Sequence, residues 1–327
     1  MLVRSTATRP EQSCAQLGIQ DGDRHPVVAV TKESAHRARD LDVFPTRWAR
    51  AGDDRFSVTV ELPPDHPFFT PVGTGSVDPL MFVEAMRQCV LVVSHGAYGV
   101  PLGHHFLLKT LEFDCDARRL RASGEPTRLD VDVTFRDLKF RAGRLVSLRS
   151  RLSARRGGHR VGGATGHITL ISPEVYRRIR REPLEAPVVP DLSPPVLPVE
   201  SVGRTSVPDV VLSPTPQPGV WQLRVDVTHP TLFQRPNDHV PGMLLLEAAR
   251  QAGAGLSAPR PFVPASGRIE FQRYAEFGSP CLVAARRTAP DLPGGPSVEV
   301  TGHQDGELVF HCSVTAAAEG SGDGDVR

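Results

Sequence analysis

Two stretches carry the residues best suited to chemistry. Asp238-His239-Val240-Pro241-Gly242-Met243 leads into Glu247, Arg250 and Gln251, and an earlier stretch, Val77-Asp78-Pro79, leads into Glu84, Arg87 and Gln88. His66-Pro67 precedes the first set and His229-Pro230 the second; the His, Glu, Arg and Gln of one copy each stand 163 residues from their counterparts. Four matched positions in one order at one spacing mark an internal duplication. Within each copy the carboxylate, guanidinium and carboxamide fall at i, i+3 and i+4, on one side of a helix. A carboxylate so placed can move a proton, and a guanidinium offers a planar fork to phosphate or carbonyl oxygens.

The elements that position them are apolar helices. In the first copy Asp78 and Pro79 suit the N-cap and the first helical position. Leu80, Met81, Phe82, Val83, Ala85, Met86, Cys89, Val90, Leu91, Val92 and Val93 then leave almost no polar face, so the helix is expected to be buried. A buried Glu and Arg must pair or find other partners, because an unpaired buried charge is costly. Two readings stay open: a structural ion pair that fixes the helix, or a polar site lining a pocket. Duplication does not separate them, since either would be copied.

The rest of the chain is expected to wrap these helices. Residues 1–32 form a polar, flexible arm. The first repeat, 33–172, opens on His36-Arg37 and Asp42-Val43-Phe44 and has a strand through Phe56, Val58 and Val60. After its helix come strands near 105–114, 128–137 (Leu129, Val131, Val133 and Phe135 inward), 144–153 and 160–171, read as an antiparallel meander. Residues 173–200 hold a short basic helix near 173–182, with Arg177, Arg178, Arg180 and Arg181 read as a solvated face, and a stiff proline-rich linker. The second repeat, 201–317, opens on Arg204, an echo of Arg37, and on Asp209-Val210-Val211. Its strands are expected through Val220–Val227 and near 266–277, 280–288, 296–302 and 307–315. Residues 318–327 read as a disordered tail.

Bulk properties exclude several classes. The 38 basic and 37 acidic residues nearly cancel, which removes the electrostatic case for nucleic acid or an anionic membrane as the main partner. Five cysteines (Cys14, Cys89, Cys115, Cys281, Cys312) lack Cys-x-x-Cys spacing, which implies reduced thiols in a cytoplasm and no zinc site. His95, His104 and His105 lack metal-ligand spacing, and no nicotinamide motif is present, so no metal and no cofactor is expected. No secretory h-region or membrane-length apolar run is present, so a cytoplasmic location is expected.

A strand, a loop, one apolar helix and a wrapping antiparallel sheet resemble the hot-dog fold of acyl-thioester enzymes. Pro241-Gly242 followed by Glu247-Ala248 and Gln251 is similar to the helix start of hydroxyacyl-carrier-protein dehydratases. The chain more fully resembles the A-factor biosynthesis (AfsA) family, whose members carry two such repeats. The matching phrases are His66-Pro-Phe-Phe69, Asp78 through Gln88 and Tyr98-Gly-Val-Pro-Leu-Gly-His104, then His229-Pro-Thr-Leu-Phe233, Asp238 through Met243 and Glu247-Ala-Ala-Arg-Gln251, over about residues 33–317. The resemblance implies an α+β tandem double hot-dog, packed as a pseudo-dimer with the two sheets edge to edge. It implies an acyltransferase that moves a β-ketoacyl group from acyl carrier protein to the hydroxyl of dihydroxyacetone phosphate, in the synthesis of γ-butyrolactone-type signals; the ester then cyclises to a butenolide phosphate.

For that chemistry the residues suggest roles. Glu247 is the candidate base, helped if burial raises its pKa. Arg250 is the candidate for the phosphate or a carbonyl oxygen, and the backbone amides of Gly242 and Met243 for an oxyanion. Gln251, His239, His229, Glu84, Arg87, Gln88 and His66 are candidate substrate-binding residues. The second copy is expected to hold the main site, because the first replaces His239 and Pro241-Gly242 with Ser76 and Asp78-Pro79, losing a glycine and a donor. His66 and His229 read equally as structural histidines. Competing functions are a dehydratase or thioesterase of the same fold, or a non-catalytic acyl or butyrolactone binding protein. The Gly-His-Phe-Pro-Gly loop of the dehydratases is absent, with Gln234–His239 in its place.

Overall fold

The computed structural model describes residues 26–318 apart from 74, 182–183, 185–188, 193, 235 and 289–294. Most of the expected N-terminal arm, and the expected tail from 319, lie outside the described residues. In the first repeat the strands are β1 (Val28–Ala29), β2 (Pro45–Gly52), β3 (Arg55–Leu62), β4 (His105–Cys115), β5 (Thr127–Arg141), β6 (Arg144–Arg156) and β7 (His159–Ile171), with helix α1 (Pro79–Tyr98) between β3 and β4. A short helix, α2 (Pro173–Ile179), follows β7. The second repeat has β8 (Leu212–Pro214), β9 (Val220–Leu223), helix α3 (Gly242–Ser257), then β10 (Pro264–Phe271), β11 (Cys281–Arg287), β12 (Ser297–Gln304) and β13 (Glu307–Ala316).

All thirteen strands form one sheet in the order β1-β2-β3-β5-β6-β7-β4-β10-β13-β12-β11-β9-β8. Read from the centre outward the order repeats itself: β4-β7-β6-β5-β3-β2 on one side mirrors β10-β13-β12-β11-β9-β8 on the other. The repeats therefore meet edge to edge through β4 and β10, which pair antiparallel from Ser266–Asp114 to Glu270–Thr110. Arg268 of β10 forms an ion pair with Glu112 of β4 across this join. Pairing the two edges satisfies backbone groups that each repeat alone would leave exposed.

Period-2 alternation sets the inner face of each sheet. Phe56, Val58, Val60 and Leu62 of β3, and Leu129, Val131, Val133 and Phe135 of β5, are all buried, and α1 lies on that side. Helix α1 starts where Asp78 Oδ1 accepts from Leu80 N at 2.8 Å and ends at Gly99 in the left-handed conformation. Gly96 lets Trp48 lie on the helix, since a Cβ there would stand 2.3 Å from the indole Cζ2.

Three expectations change. The strands after α1 are not a plain meander: β4 crosses to the central edge and β5 returns to pair with β3, because only β4 has β10 to pair with. The run expected at 266–277 leaves the sheet after Phe271, and the Ala275 carbonyl accepts from Val240 N at 2.9 Å, bracing the loop before α3. The arm's last residues are not loose, since Val28–Ala29 pair with Arg47 and Trp48 of β2.

Candidate active site between the two repeats

Each central helix carries a buried ionic cluster, and each cluster contains a second arginine from the start of its repeat. Glu84 accepts from Arg37 Nη2, from Arg87 Nε at 2.8 Å and Nη2 at 2.9 Å, and from Gln88 Nε2 at 2.8 Å. Glu247 accepts from Arg204 Nε at 2.8 Å and Nη2 at 2.6 Å, from Arg250 Nε at 2.9 Å and Nη2 at 2.6 Å, and from Gln251 Nε2 at 2.6 Å. Burial pushes both carboxyls up, but the paired guanidiniums outweigh it and hold each at about 2, down from 4.5. Burial thus leaves no net rise in the Glu247 pKa, the condition that would have helped it act as a base, because two arginines pair with it and donate hydrogen bonds to its oxygens.

The other duplicated residues tie the helices to the loops. Gln88 Nε2 donates to the Asp42 carbonyl at 2.8 Å and its Oε1 accepts from Phe44 N at 3.0 Å; Gln251 does the same with Asp209 (2.7 Å) and Val211 (3.0 Å). His66 Nδ1 accepts from the amides of Phe68 and Phe69, so its proton sits on Nε2, which donates to Asp42 Oδ1 at 3.1 Å. His229 repeats this with Thr231, Leu232 and Asp209. Both rings are buried, and all four side chains act as structural ties.

The repeats differ at the clusters' edges. A cavity of about 220 Å³ is lined by Arg37, Glu84 and Arg87 of the first repeat and by Thr231, His239, Pro241, Gly242 and Met243 of the second. Its equivalent around Glu247 is filled. There Phe68, aligned with Thr231, lies under the Arg204 guanidinium at 4.1 Å, and Asp78, aligned with Pro241, sits 3.5 Å from Arg204 Nη1. Burial pushes the fully enclosed Asp78 carboxyl up. The side chain of Arg250 is accordingly 3 % exposed against 26 % for Arg87.

Of the residues expected to act together, the structure brings Glu84, Arg87, His239, Gly242 and Met243 to one cavity. Glu247, Arg250, Gln88, Gln251, His66 and His229 do not border it. The α3 N-terminus survives from the expected second-copy site, but the guanidinium facing it comes from the first copy. Arg87 spends Nε and Nη2 on Glu84, leaving Nη1 with no hydrogen bond among the described residues. Helix α3 has no side-chain cap, and the amides of Gly242 and Met243 likewise have no partner among the described residues. Such donors at a helix N-terminus favour an anion. Beyond Arg87 a smaller, apolar cavity of about 50 Å³ lies among Met86, Val90, Leu91, Leu152 and Ile168, and Arg87 borders both spaces.

Residues outside the expected set also contribute. Arg37 was visible as the partner of Arg204 in the duplication, but nothing local marked it as a ligand of Glu84. Helix α2, expected as a solvated basic face, keeps Arg177 and Arg178 exposed but buries Tyr176 and Arg180. Tyr176 borders the cavity, and Arg180 Nε donates to Asp238 Oδ2 at 2.7 Å.

The ionic clusters predict acid sensitivity with a definite sign. Glu84 and Glu247 are depressed from 4.5, and Asp42 from 3.8, each to about 2. An unfolded chain takes up these protons first, so the stability they lend is complete above their ordinary values and is lost as pH falls toward about 2. Asp78 acts in the opposite sense, one group against three. The melting temperature should be flat from about pH 7 to 5 and fall steeply from about pH 4.5 to 2, and Glu247→Gln should flatten that fall. A melting temperature insensitive to pH across this interval would show that the carboxylates are not held as described.

No group of three or more His, Cys, Asp or Glu able to hold a metal occurs among the described residues, and none of their helices is long and apolar enough to cross a membrane. The chain is 47 % identical over 291 residues to a protein of Streptomyces griseus named 2-oxo-3-(phosphooxy)propyl 3-oxoalkanoate synthase, with 89 % of this chain and 96 % of that protein covered. A protein of the same name from Streptomyces coelicolor is 48 % identical over 285 residues, covering 86 % of this chain and 90 % of that one. Among solved structures, a putative oleoyl thioesterase from Lactobacillus plantarum superposes with a TM-score of 0.50 at 11 % identity, over 81 % of this chain and 97 % of that one, a likeness of fold alone. The model of the A-factor biosynthesis hotdog domain matches twice, at residues 19–172 and 190–318, as the duplicated sheet and helix require, and the chain belongs to that family.

Proposed function

We propose that the cavity between the repeats transfers a 3-oxoacyl group from a thioester, carried by an acyl carrier protein, to the hydroxyl of dihydroxyacetone phosphate. The name of the curated relatives describes the ester such a transfer makes. The observation that carries the reading is the position of Arg87, between a polar chamber closed by the α3 N-terminus and an apolar space behind it. An acyl chain entering the apolar space brings its carbonyl and 3-oxo oxygens to the Arg87 guanidinium. The acceptor's phosphate then meets the unpaired amides of Gly242 and Met243 at the positive end of α3. Glu84 does not react; it fixes Arg37 and Arg87 in place.

The hydroxyl oxygen bonds to the thioester carbon, the C–S bond breaks, and the hydroxyl proton ends on the departing sulfur. Among the described residues neither cysteine nor serine lines the polar cavity, and Cys89, Cys115 and Cys312 are buried thiols whose pKa burial raises. In this reading transfer is direct, with both substrates bound at once. Incubation with a 3-oxoacyl thioester and dihydroxyacetone phosphate should give the phosphorylated keto-ester, or its cyclised form, and one thiol per ester, with intersecting initial-rate lines. Release of free acid at the same rate with or without acceptor would identify a thioesterase instead, and no turnover would remove the reading.

A further inference from the structure

The depressed carboxyls of Glu84 and Glu247 leave open which group takes the acceptor's proton. We infer that His239 is that base, at Nε2, and that Asp238, Arg180 and Tyr176 hold it in the productive tautomer. The inference rests on the acyl-transfer reading of the cavity and deepens it.

Three imidazoles line the cavity: His36, His105 and His239. His36 Nε2 lies 2.8 Å from His95 Nε2, whose Nδ1 lies 2.6 Å from the Val100 carbonyl. His105 lies flat on Tyr176 at 3.6 Å. His239 has a carboxylate on its Nδ1, Asp238 Oδ1 at 2.9 Å. That contact places the Nδ1 proton toward Asp238, leaves Nε2 as the acceptor, and stabilises the imidazolium formed when the proton arrives. Nε2 has no hydrogen-bond partner among the described residues. His239 also lies three residues before Gly242, so the base stands beside the amides assigned to the acceptor's phosphate.

The carboxylate is itself held from the segment between the repeats. Tyr176 OH donates to Asp238 Oδ1 at 2.5 Å and lies 3.2 Å from His239 Nδ1. Arg180 donates from Nε to Asp238 Oδ2 at 2.7 Å and from Nη2 to the Asp238 carbonyl at 3.1 Å; it is anchored by Glu276 and stacked on the Tyr274 ring at 4.2 Å. Tyr274 also meets the edge of His239 at 4.6 Å. Burial pushes the Asp238 carboxyl up, but hydrogen bonds from His239, Tyr176 and Arg180 more than reverse it and keep the group ionised. Burial and the nearby Asp238 raise the Tyr176 phenol, so it remains a donor. Asp238, Tyr176 and Tyr274 face His239, with Arg180 and Glu276 standing behind them.

In the step itself the acceptor hydroxyl gives its proton to Nε2 as its oxygen bonds to the thioester carbon. Nε2–H then delivers the proton to the sulfur as the C–S bond breaks, and His239 returns to neutral. The test compares wild type with His239→Gln, Asp238→Asn, Tyr176→Phe and Arg180→Lys, measuring kcat and KM for the acceptor across pH. His239→Gln should lower kcat by about 10²- to 10⁴-fold with KM nearly unchanged, and should abolish the acid limb of the pH–rate profile. Asp238→Asn should lower kcat comparably by favouring the wrong tautomer. Tyr176→Phe and Arg180→Lys should shift the acid limb while keeping more of the rate, an effect that a purely structural role would not produce. A His239→Gln protein that retains the wild-type kcat, or an acid limb that survives the substitution, overturns the assignment of the base while the acyl-transfer reading stands. Failure of wild type to make the ester removes both.

Discussion

Arg87→Ala should lose most of its turnover and melt close to wild type, whereas Arg250→Ala should melt early and keep its turnover per folded molecule. The two arginines occupy equivalent helix positions and grip equivalent carboxylates with the same two nitrogens. They differ in what lies on their far side. Arg87 borders two cavities; Arg250 is enclosed by the packing around Glu247, Arg204 and Phe68. Removing Arg87 takes away a charge-assisted contact to the acyl oxygens, about 2–3 kcal/mol, or roughly 30- to 150-fold in kcat/KM. Glu84 keeps Arg37 and Gln88, and the vacated space adjoins a polar cavity that water can enter. Removing Arg250 leaves a fully enclosed carboxylate short of a partner, a loss of about 3–5 kcal/mol, or roughly 5–10 °C in melting temperature for a chain of this size. Arg87→Lys should recover only part of the rate, because an ammonium lacks the fork. Parallel melting curves and initial rates decide the matter; equal rate losses with equal melting temperatures would mean two working sites.

What could be read from the sequence, and what could not, divides along physical lines. The inner faces of β3 and β5 were legible because alternation is a local property, and α1 because an all-apolar helix has only one place to go. The destination of β4 was not legible, because its outer partner is β10, more than 150 residues away. The same division runs through the site. The Glu-Arg-Gln triad announced itself by spacing and repetition. The sign of the pKa shift at Glu247 did not, because it depends on Arg204, which arrives from 43 residues upstream and turns a desolvated acid into a neutralised anion. Arg37 and Arg204 had left a trace as aligned arginines at the start of each repeat. The ranking of the copies rests on the helix starts, and the α3 N-terminus does line the cavity between the repeats. It missed that the space in front of that helix belongs to the other repeat's guanidiniums, which only the edge-to-edge packing decides. Arg180 was hidden inside a basic run whose other members, Arg177 and Arg178, face solvent as expected.

The comparison between repeats also yields a substitution that should close the working cavity without harming the fold. Thr231 and Phe68 are equivalent: Arg37 Nη1 donates to the Thr231 carbonyl at 3.4 Å, and Arg204 Nη1 to the Phe68 carbonyl at 2.7 Å. At position 68 the aromatic ring lies under the guanidinium and occupies the space that, on the other side, is the chamber. Thr231→Phe should place a ring on Arg37 in the same manner, in a backbone setting that already accepts phenylalanine in the other repeat. The ring fills a void and gains a cation–π contact of about 0.5–2 kcal/mol. Against that stands the loss of the Thr231 hydroxyl, which accepts from Arg39 Nη2 at 3.0 Å at a partly exposed edge, so the melting temperature should change little. Catalysis should suffer heavily, because the ring takes the volume in which acceptor and thioester meet, and even small misplacements of reacting groups cost on the order of 10²-fold. Thr231→Val, which removes the hydroxyl at nearly the same volume, should stay near wild type. The pair of variants separates blockage from loss of the hydroxyl: activity lost in both would point to the hydroxyl, and activity retained in Thr231→Phe would show that the reaction takes place outside the chamber between the repeats.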